Sequence, residues 1–554
     1  MTDAASQSNS DAGTAASSTT VAVVGAGTMG AGIAEVAARA GHPALLLDAV
    51  AGAAAKAHEA MSARLGRDVS KGRLTDDAAA QIADRVKVAE SVADLATATV
   101  VVEAIREDLA AKRDLFAALE DVVAPDALLA TNTSSLSVTA VAAGLRHPGR
   151  VVGLHFFNPA QRMRLVEVVR GEDTDDDTLR RATELASAWG KTPVTCTSTP
   201  GFIVNRVARP FYGEAQRLVE ERVADPGTID LVLREAGGFP MGPFELTDLV
   251  GQDVNLAVSK SVWEQTFHDP RYAPTVFQQR LVDAGRLGRK TGRGVYDYVG
   301  DPTGTARAPR PGDPQHDATV TDEAAVAPST VRYRGGWAVM APLLERARAG
   351  GVEVVDESGN ASSVTEAPDG SGVLLPSGGR LVETTGEPGV LVGADVVVLD
   401  WAREPQTTTR VAVAPAPNCS EATLTEAVGL LQAAGVSVSV IADGAGMVVA
   451  RTVAMLVNEA ADLVLRGEAT AADVDTAMRL GTGYPEGPLA WGDRIGAAQV
   501  RRVLSGLHRT APTGRYRISP ALHRAAQNRA AQNRAAQIRA AQIRAAETGA
   551  QTHG

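Results

Sequence analysis

A doubly wound α/β domain, an all-helical domain after it, and then a degenerate second copy of both is the architecture that this 554-residue sequence predicts. Three observations carry that prediction. Near the start, an apolar run at 21–24 passes into a glycine-rich turn and a helix of small residues. From there to about Glu120, short apolar strands alternate with helical periodicity, the pattern of a parallel sheet covered on both faces. Finally, the chain matches itself without a gap when the first half is displaced by 245 residues, the mark of an internal repeat.

Composition sets the outer bounds. At about 100–200 residues per domain the length asks for three to five domains, and a hydrophobic content of 45% is enough to give each a core. With 54 basic and 65 acidic side chains the net charge is -11, which argues against a nucleic-acid partner because phosphate neutralisation needs a concentrated basic face. No apolar run reaches the roughly 18–20 residues of a membrane span, so no membrane crossing is expected. Cys196 and Cys419 are the only cysteines; they predict neither a disulfide framework nor a cysteine metal site, and a reducing cytoplasmic location fits them. Residues 1–19 hold neither Lys nor Arg nor an apolar run, and read as a disordered tail without a targeting presequence.

The first domain, residues 20–199, reads as a Rossmann-type NAD-binding unit. In the run 25–30 the pattern is G-x-G-x-x-G: Gly25 permits the tight turn, Gly27 lets a pyrophosphate approach the backbone, and Gly30 lets the helix sit close to the strand. Thr28 and Met29 lie within that loop, where the helix amino terminus offers N–H donors and a positive dipole end. The second strand, at 44–47, ends in Asp48, where an acid is needed for a ribose 2′-hydroxyl; no Arg follows it to receive a 2′-phosphate, so NAD is favoured over NADP. Further strands follow at 86–88 and 99–104, then a helix from near Asp108 through Leu119. The runs 128–136 and 151–159 each leave an apolar strand for polar groups at its carboxyl end. Ligands bind at that edge of open α/β sheets, which makes Asn132, Ser134, His155 and Asn158 candidates to meet at the nicotinamide. In the strand-like run 165–169, Glu167 is an acid among aliphatic side chains; burying it requires a partner, and His155 is the nearest candidate in sequence.

Several motifs together resemble the L-3-hydroxyacyl-CoA dehydrogenase family. They are the glycine loop at 25–30, Asn-Thr-Ser-Ser at 132–135, Gly-Leu-His-Phe-Phe-Asn-Pro at 153–159, Leu-Val-Glu-Val at 165–168 and Pro-Gly-Phe-Ile-Val-Asn-Arg at 200–206. The likeness covers roughly residues 20–299. It implies that His155 is the general acid/base and Glu167 its orienting carboxylate, that Ser134 and Asn205 bond the substrate oxygen, and that Glu107, Lys112 and Lys290 contact NAD. The chemistry agrees with those roles. Oxidising a secondary alcohol requires its hydroxyl proton to leave as hydride departs, which suits a histidine whose other nitrogen is held by a carboxylate. The polar loop at Lys71, Gly72 and Arg73 reads either as a solvated basic loop or as a contact for the phosphates of an acyl-CoA substrate. Residues 200–299 read as the family's helical domain, with one apolar stripe from Phe202 to Glu220 and further helices from about Thr228 and Phe244.

Residues 300–328, rich in Pro, Gly, Ala and Asp, read as a linker. Beyond it, the displacement of 245 lays Gly201–Arg206 over Gly446–Arg451 and Asp230 over Asp475, while His155, Glu167 and Asn205 fall on Asp400, Ala412 and Ala450. Residues 329–443 are therefore expected to be a degenerate Rossmann-like region that binds no NAD, with strands near 331–337 and 352–355. Residues 444–516 are expected to be a second helical domain, paired with the first as an internal pseudo-dimer; a homo-oligomer is left open. The run 451–493 resembles the last domain of bacterial 3-hydroxyadipyl-CoA dehydrogenases of phenylacetate degradation, which implies a substrate with a distal carboxylate. Arg162, Arg164 or an arginine of the second half could receive it. Straight-chain substrates such as 3-hydroxybutyryl-CoA are the alternative. A non-catalytic NAD-binding scaffold subunit is the reading from another class, and the retained His155, Glu167 and Asn205 argue against it. The tail 517–554 repeats Ala-Ala-Gln-Asn-Arg and then Ala-Ala-Gln-Ile-Arg. A five-residue period gives a helix no single apolar stripe, so a solvated helix is expected, with a basic docking segment as the alternative.

Overall fold

The computed structural model describes residues 19–298, 324–335, 338–357, 371–528 and 531–532. Nearly all of the amino-terminal tail, most of the linker, Trp337 and most of the arginine repeats of the tail lie outside the described residues. The chain divides into two compact units, 1–193 and 194–554.

In the first unit the elements run β1 (Val21–Val24), α1 (Thr28–Arg39), β2 (Ala44–Leu47), α2 (Ala53–Ser70), α3 (Asp76–Arg85), β3 (Val86–Val88), β4 (Val100–Glu103), α4 (Leu109–Val122), β5 (Leu128–Thr131), α5 (Val138–Ala142), β6 (Val151–Phe156), β7 (Leu165–Arg170) and α6 (Asp176–Ala188), before the connecting strand β8 (Thr192–Thr197). The sheet order begins β3-β2-β1-β4-β5-β6-β7. Pairing is parallel from β3 to β6 and antiparallel between β6 and β7. The central strands β1, β4 and β5 are buried along their whole length, which is why they read as unbroken aliphatic runs and not as alternating ones. The order reverses between β1 and β4, so the carboxyl ends of these two strands flank the switch point at which such sheets bind ligands.

The second unit opens with helices α7 (Val204–Val207), α8 (Arg209–Glu220), α9 (Pro226–Glu235), α10 (Pro243–Val250), α11 (Gln252–Gln265) and α12 (Val276–Asp283). A second sheet region follows: β9 (Thr330–Arg334), α13 (Met340–Ala349), β10 (Glu353–Asp356), β11 (Gly372–Leu374), β12 (Arg380–Glu383), α14 (Gly389–Val392), β13 (Val396–Leu399), β14 (Arg410–Pro415), α15 (Glu421–Ala433) and β15 (Ser437–Val440). The last helices are α16 (Val449–Leu465), α17 (Ala471–Gly481), α18 (Pro488–Ile495) and α19 (Ala497–Thr510). The second sheet has the order β10-β9-β11-β12-β13-β14-β15. Its strand β11 pairs antiparallel with both neighbours, an insertion that periodicity did not reveal.

The displacement of 245 residues read from sequence holds element by element from β6 onward. It carries β7 onto β14, α6 onto α15, the start of α7 and the end of α8 onto the two ends of α16, and α10 and α11 onto α18 and α19. Backbone conformations follow: Gly201 and Phe202 at φ 76° and 48° match Gly446 and Met447 at 75° and 57°. One expectation is corrected here. The single helix expected over 202–220 is two, α7 and α8, parted at Ala208. Pro210 has no N–H to donate and its ring crowds the preceding turn; its counterpart Met455 leaves α16 unbroken.

The two helical domains meet through reciprocal contacts. Arg206 Nε donates to Glu459 at 2.7 Å, and its counterpart Arg451 donates through Nε to Glu214, the counterpart of Glu459, at 2.8 Å. Arg271 and Tyr272 also bind Glu459, at 3.0 and 2.5 Å, while Arg515 and Tyr516 bind Glu214 at 2.7 and 3.1 Å. Main-chain bonds repeat the relation, from Thr197 N to Glu468 O and from Ala442 N to Val223 O, both 2.9 Å. Such an exchange is what a two-fold interface between identical subunits looks like, built here within one chain. Burial alone would raise the Glu214 carboxyl, but Arg515 and Arg451 outweigh it and hold its pKa down to about 2. Residues past 516 belong to this assembly, contrary to the expected start of a tail at 517. Arg517 O accepts from Arg271 Nη2 and Asn458 Nδ2, and Ser519 N donates to Asn458 Oδ1.

Candidate active site

The dinucleotide turn comes first. Gly25 has φ 104°, and a Cβ there would lie 2.4 Å from Ala104 O; a Cβ on Gly30 would lie 1.7 Å from Gly25 O. Both positions therefore demand glycine for reasons internal to the fold. Gly27 differs, because a Cβ there would meet no heavy atom within 4 Å. Its missing side chain leaves open space at the start of α1, whose N-cap makes no side-chain capping bond. Open space in front of an uncapped helix amino terminus fits a pyrophosphate. Asp48 ties the end of β2 to this turn, accepting from Ala26 N at 2.7 Å and from Val50 N at 2.9 Å.

The proton-transfer candidates lie on neighbouring strands. His155 on β6 and Glu167 on β7 are directly opposite residues in the antiparallel register. Their side chains meet at 2.6 Å between Nδ1 and Oε2. Glu167 is fully buried and His155 is 5% exposed, so the pair is formed away from water, where an ionic hydrogen bond is strong. Cross-strand pairing explains the 12-residue spacing: the chain turns once and returns the acid to the base. Phe157 packs against the imidazole with ring centroids 4.6 Å apart.

A second polar cluster links β4, β5 and α4. Glu107 Oε1 accepts from Thr133 Oγ1 and Ser134 N, both at 2.7 Å, and from Ser134 Oγ at 3.2 Å. Lys112, 1% exposed, bridges Glu107 at 3.2 Å and the buried Glu103 at 2.6 Å. Burial pushes the Glu107 carboxyl upward, but Lys112 and the donors of Thr133 and Ser134 outweigh it, and its pKa stays below the ordinary value. Asn132 Oδ1 accepts from Phe156 N at 2.9 Å, which fastens the end of β5 to that of β6. Ser134 and Glu107 are thus brought together. Asn158 is exposed just beyond β6.

A cleft of about 680 Å³ runs along α1, from Gly27 and Thr28 past Glu35 to Arg39, with α2 and the segment after Asn158 as its other walls. Arg64, Arg73 and Arg162 also line it. Lys71 and Arg164 are exposed, and neither is among the residues that form the cleft. Sequence reading passed over Glu35, Arg39, Arg64 and Glu103. The signal that marked Glu167, an acid within an apolar run, is present at Glu35 between Ala34 and Val36 and at Glu103 after three valines, and could have found both.

Asn205 and Lys290 belong to the second unit. Asn205 lies in α7, and Lys290 Nζ pairs with Asp253 at 2.5 and 2.7 Å. Among the described residues no group of His, Cys, Asp and Glu could hold a metal ion, and no helix is long and apolar enough to cross a membrane.

Known proteins share this arrangement. Residues 20–199 match the 3-hydroxyacyl-CoA dehydrogenase NAD binding domain, and 201–298 and 446–538 each match the C-terminal domain of the same family. Residues 384–444 match the 3-hydroxybutyryl-CoA dehydrogenase reduced Rossmann-fold domain. The chain is 44% identical over 512 residues to 3-hydroxyadipyl-CoA dehydrogenase of Escherichia coli (strain K12), covering 92% of this chain and 97% of that one. It is 40% identical over 278 residues to a probable 3-hydroxybutyryl-CoA dehydrogenase of Bacillus subtilis, covering 50% of this chain and 96% of that one. The crystal structure of 3-hydroxybutyryl-CoA dehydrogenase from Escherichia coli K12 aligns with a TM-score of 0.78 at 42% identity, over 93% of this chain and 99% of that one. With the glycine turn, the buried histidine–carboxylate pair and both helical domains matched along nearly the whole length, the chain belongs to the 3-hydroxyacyl-CoA dehydrogenase family, whose members oxidise a CH–OH group with NAD.

Proposed function

We propose that this chain oxidises 3-hydroxyadipyl-CoA to 3-oxoadipyl-CoA, with His155 as the base. The observation that carries the mechanism is the buried His155–Glu167 pair at the carboxyl edge of the sheet. Bound NAD supplies the hydride acceptor. Glu167 holds the proton on Nδ1, which fixes the imidazole tautomer and presents Nε2 to the substrate hydroxyl. As the hydroxyl proton passes to Nε2, the imidazolium is stabilised by the carboxylate beside it. In the reverse direction the same proton returns to the forming alkoxide. Ser134 and Asn205 donate hydrogen bonds to the substrate oxygen.

The loop 25–30, including Thr28 and Met29, receives the pyrophosphate, and Asp48 the ribose. Glu107, Lys112, Asn158 and Lys290 complete the cofactor's surroundings. Lys112 does so by holding Glu107, since its ammonium is buried between two carboxylates. The arginine-lined cleft along α1 takes the CoA moiety, with Lys71 and Arg73 at the loop that follows α2.

The substrate assignment rests on the two-copy architecture, shared over 92% of the chain with a protein named for 3-hydroxyadipyl-CoA. A second reading, 3-hydroxybutyryl-CoA, is favoured by the name of a solved structure that aligns over a similar span. Initial rates of NADH formation at 340 nm with both thioesters decide between them. The proposal expects the higher kcat/KM with 3-hydroxyadipyl-CoA, and the opposite order would establish the second reading.

A further inference from the structure

Glu35 lies in the middle of α1 with its carboxylate 1% exposed, and three side chains converge on it. Arg39 Nε donates to Oε1 at 2.8 Å. Arg64 grips Oε2 side-on through Nε, at 3.0 Å, and through Nη2. Gln161 Nε2 reaches the same oxygen at 3.3 Å. The close fit of α1 against that last segment begins one turn earlier, where a Cβ on Gly32 would lie 3.2 Å from Ala160 Cβ and from Gln161 Nε2. One buried carboxylate therefore joins the helix of the dinucleotide turn, the helix α2 and the segment that follows the His155 strand.

A carboxylate so enclosed must be neutralised, and Arg64 and Arg39 neutralise it. Its effect on them is equally definite. The Nε–Nη2 edge of Arg64 is fixed on Glu35, so the planar guanidinium is held in one orientation with its Nη1 edge turned away from that carboxylate. Arg39 is held between Glu35 and Asp68, the latter at 3.4 Å from Nη2. Both arginines, with Arg73 and Arg162, line the cleft along α1 against only two carboxylates, Glu35 and Asp68. The cleft thus favours an extended anion. At 12 residues α1 is about 18 Å long, so the arginine-rich end of the cleft lies well away from the dinucleotide turn, and a ligand whose reacting end reaches past that turn carries its negative charge there. A thioester joined to phosphates through a long neutral arm has that form.

We propose that Glu35 is a positioning residue for the substrate's phosphate groups: it holds Arg64 and Arg39 ready to receive them and takes no part in proton or hydride transfer. The proposal rests on the CoA reading of the cleft. Glu35→Gln keeps the side chain's size and removes the charge that orients the two arginines. KM for a 3-hydroxyacyl-CoA should rise roughly ten-fold, with kcat changed less than two-fold and KM for NAD unchanged. The control is the same acyl group carried on N-acetylcysteamine, which has no phosphates; its kcat/KM should not differ between the variant and the wild type. Arg64→Gln, a change at a partly exposed side chain, should give the same division between the two substrates, and the double variant should add little to either single one. Equal losses with the CoA and N-acetylcysteamine thioesters, or additive losses in the double variant, would overturn the role given to Glu35. If the wild type itself shows no preference for the CoA thioester, the CoA reading of the cleft fails, a result separate from any behaviour of Glu35.

Discussion

The carboxyl ends of β6 and β13 are the same place in two copies of one fold, and they do opposite things with a buried polar side chain. On β6 the position is His155, paired with Glu167 across the strand boundary. Just past β13, 245 residues later, it is Asp400, and the position beside it on β14 is Ala412, whose O accepts from Asp400 N at 3.0 Å. Asp400 is not an idle remnant. Fully buried, it accepts from Trp401 N at 2.7 Å and from Val448, Val449 and Ala450 N at 2.9, 2.7 and 3.0 Å, which fixes the first turn of α16 to the second sheet. Glu383, at the end of β12, does the same for α13 by accepting from Val339 and Met340 N at 3.1 and 3.3 Å. In a dinucleotide fold the helix amino terminus after the first strand is kept for a phosphate; in the second copy it faces one of the protein's own carboxylates. At the position of the base, the second copy thus holds an internal anchor.

This contrast can be broken most directly by exchanging losses at the two positions. His155→Ala should lower kcat by about 10²–10⁴-fold and also cost some stability, because it leaves the fully buried Glu167 without the imidazole it is paired with. Asp400→Ala should leave kcat within a factor of two and cost about 2–3 kcal/mol of stability, since it strands buried N–H donors. NADH formation at 340 nm and urea unfolding read the two effects. Normal turnover in His155→Ala would remove the histidine from the mechanism.

The next largest effect tests the symmetry of the helical domains. Arg206→Ala and Arg451→Ala each remove one of the two guanidinium groups that neutralise a fully buried glutamate, leaving Arg271 on Glu459 and Arg515 on Glu214, and each should cost up to about 3–5 kcal/mol. The reciprocity of Glu459 and Glu214 predicts that the two losses agree within about 1 kcal/mol. A large inequality in urea unfolding would mean that the halves, alike in geometry, are unequal in energy.

Much of this was legible in sequence because the repeating signals are local. The glycine turn, the aliphatic strands and the 245-residue displacement need only neighbours along the chain, and His155 and Glu167 could be paired because one turn separates their strands. What escaped depends on contacts between distant segments. Glu35 stands in an apolar run that marks it for burial, but its partner Arg64 sits on a separate helix 29 residues away and alone reads as an ordinary helix charge. Asp400 was visible as a base that had been lost, but its four N–H donors come mostly from a helix 48 to 50 residues further on. The boundary at 517 was misplaced for the same reason, since Arg517 and Ser519 are held by Arg271 and Asn458, not by a motif of their own.

The smallest expected effect concerns the charge state of the anchors. Burial pushes the pKa of Glu383 up to about 7 and that of Asp400 up to about 6, against the backbone N–H groups that favour their ionised forms. Between the unfolded values, near 4, and these folded values, the native state keeps protons that the unfolded chain has released. Stability from each group is therefore fully present below about pH 4 and is lost as the pH rises from there through the folded value of 6 to 7, by about 3 kcal/mol for Glu383. Glu383→Gln removes that titration yet keeps an oxygen to accept from Val339 and Met340. Asp230, raised by burial to about 7 in the first helical domain, titrates equally in both proteins and cancels in the comparison. Urea unfolding from pH 5 to 7.5 should show a falling midpoint in the wild type and a flatter one in the variant, with Glu383→Gln at least as stable at the upper end. If the variant is instead less stable at pH 7.5, the carboxylate is ionised there and acts as a charged cap on α13. The second copy would then hold a true anion where the first copy receives its cofactor's phosphates.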